Sequence, residues 1–268
     1  MIKAAKLTFL GALGLFLMAP LVVVAGVSFN GSQRINFPPK SPSWIWYQTF
    51  FGDQAWVSDL TRSLVIAAAA AVVSVSIAAP IAYAAWRYRS RAAHFLESAA
   101  RISFILPAIV QAILFLVFWS WLRHGGRIED TILSHAVVFV TLPLTTLGLG
   151  FRSVDPALVD AARTMGATEA YVMRTVLRPI VLPYAVSGLV FVFILSLNEY
   201  IIAYMVAGFE VETLPIKVFN NLRMGFQPTM CVGAVLFMLL SLLGFSLIAA
   251  IGDLPKLMGG TAENRSAR

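Results

Sequence analysis

Glu199 is the one acidic residue inside the long apolar runs of this 268-residue chain, and it follows Asn198 in the stretch FVFILSLNEYIIAYMVAG. A carboxylate buried in hydrocarbon is costly. It marks either a route for an ion or polar solute, or a side chain that a neighbouring helix satisfies. Its chemistry is electrostatic: a fixed negative charge favours a nearby ammonium group. Asn198 adds an amide that both donates and accepts. Gln111 and Tyr204 are further polar side chains in apolar surroundings, and ordinary helix packing explains them about as well.

A second constellation lies at residues 160–183, DAARTMGATEAYVMRTVLRPIVLP, a polar island between two apolar runs. Asp155 followed by Pro156 is a helix start, with a side-chain acceptor and then a proline where its missing N–H costs nothing. Leu158, Ala161, Ala162 and Met165 recur at helical spacing and make one small apolar face, and Gly166 is placed to end the helix. A second short helix is expected from about Thr168 to Leu177, with Pro179 and Pro183 breaking the chain after it. Small residues on an exposed helix let another protein approach the backbone, so the chemistry expected here is docking.

The elements that position these residues follow from composition. The chain is 59% hydrophobic and 12% charged, with a mean hydropathy of +0.81. Soluble domains are about half apolar and about a quarter charged. Apolar runs of roughly 20 residues match the hydrocarbon thickness of a bilayer. The expected fold is therefore all-α, a single polytopic membrane domain embedded in the lipid bilayer. Its six expected spans lie at about 7–27, 60–86, 102–122, 131–151, 184–206 and 229–252, with a loop at about 152–183. The run from Leu7 to Val27 is longer than the apolar core of a cleaved signal, so it reads as a retained span. A cleaved signal would leave five spans.

The net charge of +7 reads as a topological signal, not as nucleic-acid binding. With the N-terminus inside, thirteen Lys and Arg residues fall on the inner side against seven outside. Arg87, Arg89 and Arg91 directly after the second span are the sharpest signal, and Lys256, Arg265 and Arg268 place the C-terminus inside too. The island is then cytoplasmic. Outside lie a proline- and tryptophan-rich segment at 28–59, read as an interfacial belt, a short turn at 123–130, and a breaker-rich loop at 207–228.

Reactive motifs are missing. None of the five lysines follows a glycine, which excludes a phosphate-binding Gly-Lys-Ser/Thr loop. There is no His-Glu-x-x-His pair and no Gly-x-Ser-x-Gly elbow. His94, His124 and His135 are isolated along the sequence, and Cys231 is a lone residue in an apolar run. A membrane enzyme is not supported. A self-sufficient channel or secondary transporter would call for more intramembrane charge than one Glu.

The island resembles the EAA motif of permease subunits of ABC-type importers: Glu-Ala-Ala, three residues, Gly, nine residues, then Ile-x-Leu-Pro. Asp160-Ala161-Ala162 and Gly166 match its first half, with Asp for Glu. Val176 and Pro179 match the second, with Arg178 where Leu is usual. The resemblance implies a non-catalytic subunit of a type I importer in a bacterial inner membrane. Its partners would be a cytoplasmic ATPase dimer, a second permease subunit and a periplasmic solute-binding protein. ATP and Mg would be bound by the ATPase and no cofactor by this chain. Asp160, Ala161, Ala162 and Gly166 would be the docking residues. SLNEYIIAYMVAG followed by LPIKVFNNLRMG resembles the spermidine/putrescine permease branch, which pairs with a different second permease and carries an acidic pair where this chain has Asn198-Glu199. That likeness implies a small cationic solute whose path passes these two residues. Other small organic solutes are the alternative.

Overall fold

The computed structural model describes residues 2–251. Residues 252–268, with Lys256, Arg265 and Arg268 of the orientation count, lie outside the described residues, as does the side chain of Lys3. The described chain is helical throughout its regular structure: α1 (Ile2–Ser28), α2 (Ile45–Gly52), α3 (Gln54–Tyr88), α4 (Arg91–Ile105), α5 (Ala108–Trp121), α6 (Ile128–Val138), α7 (Thr141–Arg152), α8 (Pro156–Thr164), α9 (Glu169–Val172), a π turn (Met173–Leu177), α10 (Arg178–Asn198), α11 (Ile201–Ala207), α12 (Leu214–Met224) and α13 (Thr229–Ile251).

Four helical stretches are long and apolar enough to cross a membrane: Lys6–Ser28, Gln54–Tyr88, Glu169–Asn198 and Thr229–Ala250. Two more spans arise only if a bent pair counts as one. The expected span 102–122 is not one helix. It is the end of α4 and all of α5, bent by 114°. Pro107 removes a backbone donor and drives Leu106 into extended geometry (φ −62°, ψ 142°). The amide of Gln111 donates to the carbonyls of Ser103 (2.7 Å) and Leu106 (2.8 Å) across the break, beside the Leu106 N–H that also donates to Ser103 O. The expected span 131–151 is α6 plus α7, bent by 46°. There Pro143, near the start of α7, cannot donate to Phe139, and its ring crowds that carbonyl.

The opposite correction applies after the island. Pro179 and Pro183 were expected to break the chain, yet helix runs unbroken from Glu169 to Asn198. Both prolines sit in the first two turns of α10, directly behind the π turn. The wider π turn shifts the carbonyls ahead of Pro179 out of register, so that ring is accommodated, while Pro183 lies inside α10 itself. The fifth span therefore begins earlier than 184 and stops at Asn198 instead of 206. The loop expected at 207–228 contains α12.

The chain divides into two compact units. One comprises the chain up to Arg62 with Thr213–Leu239. Its core holds Phe50, Trp56, Leu214, Met230 and Val232. Asp59, 2% exposed, lies 3.2 Å from Arg62 and 3.3 Å from Lys217. The aromatics expected as one interfacial belt divide here, with Trp44 exposed and Trp56 buried. The other unit comprises Ser63–Glu212 with the chain from Leu240. In it α7 packs closely on α10, where a Cβ on Gly188 would come within 2.8 Å of the Pro143 backbone. Small residues at such a crossing let two apolar helices approach without a hydrophobic drive between them.

Candidate functional site

The polar island builds a helix with defined ends. The Asp155 carboxylate accepts from the Ala157 N–H at 2.9 Å, and Pro156 takes the first helical position. Gly166 adopts φ +84°, which only glycine takes without strain. The Gly166 N–H donates to Arg163 O and the Ala167 N–H to Ala162 O, closing α8 in a Schellman arrangement. The expected start and end are both found.

The expected face is found in part: Leu158, Ala161 and Met165 are exposed, and Ala162 is not. Ala162 is buried with Val159 against Leu144, Leu147, Phe151 and Val172. Asp160, Ala161 and Gly166 are exposed. The outward apolar side chains are Leu158 and Met165, at 52% and 82% exposure. Ala162 is thus a root that seats the helix, and the free face is bulkier than a small-residue stripe. The Glu169 carboxylate accepts from Arg163 at 2.7 Å and from Arg87 at 3.4 Å, linking α9 to α8 and to the end of α3.

Glu199 lies at the break between α10 and α11, with its side chain 10% exposed. Its carboxylate accepts backbone N–H groups of the next turn: Ile201 at 2.9 Å, Ile202 at 3.0 and 2.9 Å, and Ala203 at 3.1 Å. An anion at the start of a helix satisfies orphan donors and complements the helix dipole. His135 Nε2 stands 3.2 Å from Glu199 Oε2, while Nδ1 is 2.7 Å from the Ser196 hydroxyl. A proton on Nε2 puts a donor beside the carboxylate, and Ser196 can then donate to Nδ1. The Nε2 contact is not aligned as a hydrogen bond, so it acts as electrostatic attraction.

Sequence reasoning missed His135, which reads as isolated along the chain but is 1% exposed and faces the intramembrane carboxylate. The available signal was a histidine in an otherwise apolar run. His94 and His124 also have acidic neighbours, Glu97 at 3.3 Å and Asp130 at 2.5 Å. Asn198 is exposed, and its amide donates back to Ile194 O at 2.8 Å. Tyr200 stacks on Tyr204 at 5.5 Å, and Tyr204 meets Phe209 at 5.9 Å. Glu199, Asn198 and the Tyr200–Tyr204 stack thus share one short stretch, whereas Gln111 is occupied at the α4–α5 break. Among the described residues no three His, Cys, Asp or Glu side chains come together as metal ligands.

Apolar helices with two proline-bent pairs, a capped carboxylate at a span break and a short exposed helix rooted in the core define a multi-pass helical membrane protein of the permease type. Residues 78–253 match the model of the binding-protein-dependent transport system inner membrane component, and the chain belongs to that family. It is a membrane component of such a transport system and not its ATP-hydrolysing part. The spermidine/putrescine transport system permease protein PotC of Haemophilus influenzae is 26% identical over 227 residues, covering 85% of this chain and 88% of the relative. The putrescine transport system permease protein PotI of Escherichia coli K12 is 29% identical over 233 residues, covering 82% and 83%. Among solved structures, a bacterial ABC transporter involved in the import of the acidic polysaccharide alginate aligns with a TM-score of 0.67 at 16% identity, over 93% of this chain and 94% of that one. The MetNI methionine ABC transporter in an inward-facing conformation aligns with a TM-score of 0.61 at 18% identity, over 74% and 96%. These last two are likenesses of fold.

Proposed function

We propose that the chain is the permease subunit of an ATP-driven importer for a small organic cation of the putrescine or spermidine class. The observation that carries the coupling half is α8: both ends are capped, Val159 and Ala162 are buried, and Asp160, Ala161 and Gly166 are exposed. A rooted, protruding helix is suited to a groove on a partner that supplies energy, and the partner is a cytoplasmic ATPase dimer holding ATP and Mg. Ala162 contributes by seating the helix. The remaining partners are a second, different permease subunit and a periplasmic solute-binding protein. Both termini and α8 face the cytoplasm, in keeping with the charge asymmetry.

For the solute path, Asn198 and Glu199 are the residues of choice. The carboxylate caps the helix that follows it, and the adjacent Tyr200–Tyr204 stack offers aromatic faces that favour an ammonium group. An amide at 198 in place of a second acid also fits another small organic solute. The test is co-purification and uptake in cells carrying the whole system. Ala161→Arg or Gly166→Arg is expected to abolish ATPase retention while the permease stays in the membrane, and undiminished retention by both overturns the docking role. Putrescine uptake unchanged by Glu199→Gln overturns the path assignment.

A further inference from the structure

A cleft of about 490 Å³ opens between the end of α3, the start of α4 and α8, lined among others by Trp86, Arg87, Arg89, His94, Asp160 and Arg163. Its charge balance is unfinished. Arg87 and Arg163 both reach the same oxygen of Glu169, at 3.4 and 2.7 Å. The Nε of each is buried without a hydrogen-bond partner. Two half-buried guanidinium groups on one carboxylate oxygen leave positive charge only partly compensated. Arg89, just past the end of α3 at φ +48°, is exposed and has no ion pair among the described residues. Asp160 is the one acid in the lining.

The cleft also sits at a recognisable depth. α3 is apolar up to Ala85, after which come Trp86, Arg87 and Tyr88. Aromatic rings and arginines at the end of a span belong to the membrane–water boundary. Trp86 stacks on Phe151 at 5.5 Å, while Tyr88 is 67% exposed. Helix α4, which contributes His94 to the cleft, exposes Phe95, Ile102 and Ile105 at helical spacing. A soluble anion has no use for that apolar stripe. A ligand with a phosphate and hydrocarbon tails uses both features.

We infer that this cleft binds the phosphate of an anionic phospholipid headgroup, held by Arg87, Arg89 and Arg163, with the acyl chains along the exposed apolar side of α4. Guanidinium groups present paired donors that match phosphate oxygens, and basic pockets between spans are suited to such headgroups. Arg163 belongs to α8 and Arg87 to α3, so the lipid ties the protruding helix to a span. The site is independent of what the chain transports.

The test uses the full chain purified in detergent and incubated with phosphatidylglycerol or phosphatidylethanolamine, with bound lipid counted by native mass spectrometry. Phosphatidylglycerol is expected to be retained in preference. Arg89→Gln should lower that retention about fivefold, and Arg87→Gln with Arg89→Gln should lower it further. Arg89→Gln leaves the Glu169 bridges intact, so loss of fold does not confuse the result, and Arg152→Gln, outside the cleft, should retain lipid normally. Equal retention of the two lipids, unchanged retention in both cleft variants, or an equal loss in Arg152→Gln overturns the site. So does a thermal shift with inorganic phosphate matching that with phosphatidylglycerol, which would assign the cleft to free phosphate. Loss of ATPase co-purification in Arg89→Gln with lipid retention intact would assign it to a protein contact and also overturns it.

Discussion

Among the carboxylates that cap helices in the described chain, Asp155 and Glu199 do so under opposite conditions. Asp155 starts α8 in the open, where its side chain is exposed and satisfies one N–H. Glu199 starts α11 in the interior, where it satisfies the N–H groups of three residues and faces a buried histidine. In the open, water competes for every donor, so a cap contributes little beyond setting where the helix begins. In a dry interior the same donors have no alternative acceptor, and the cap becomes a condition for the turn to exist. The exposed helix α8 is therefore held by packing from below, and the helix break in the span by polar bonds from within.

The largest expected effect breaks the interior side of the comparison. Glu199→Ala strands the donors of the next turn and the polar face of His135, costing about 3–5 kcal/mol. Thermal unfolding of the detergent-solubilised protein should show a large drop, with Glu199→Gln milder because one acceptor oxygen remains. A Glu199→Ala variant as stable as the parent would mean that the turn needs no cap. Next is Gly188→Val, which drives a side chain into the Pro143 backbone and Thr146; a loss of about 1–3 kcal/mol is expected in the same measurement. The smallest effect sharpens the exposed side. Asp155→Ala should cost about 1 kcal/mol, read as a shift of a few degrees, and a loss as large as that of Glu199→Ala would erase the distinction between the two caps.

The two regions also differ in how far the sequence discloses them. Both ends of α8 were legible, because Asp155, Pro156 and Gly166 act on backbone within a few residues of themselves. Its orientation was not. Ala161 and Ala162 are neighbours of the same size, and the fold alone decides which one turns inward; Val159, three residues before Ala162, was the available hint. The position of Glu199 as the intramembrane acid was plain, whereas its partner His135 is brought to it by the packing of α6 against the α10–α11 break. The helix breaks were misjudged in both directions. Pro107 ends a helix because Leu106 is free to become extended, while Pro179 does not, because a π turn precedes it, and Pro183 is held inside α10. Proline states a local cost, and the surrounding chain decides whether it appears as a bend or as a change of winding.

The unbroken helix from Glu169 to Asn198 has a mechanical meaning. Its 30 residues make a strut about 45 Å long at 1.5 Å per residue. One end carries the carboxylate that holds Arg163 of the exposed helix, and the other ends at the residue before Glu199. The shaft therefore joins the ion-paired corner beside α8 directly to the α10–α11 break. The π turn Met173–Leu177 lies near its base, between the Glu169 end and the rest of the shaft.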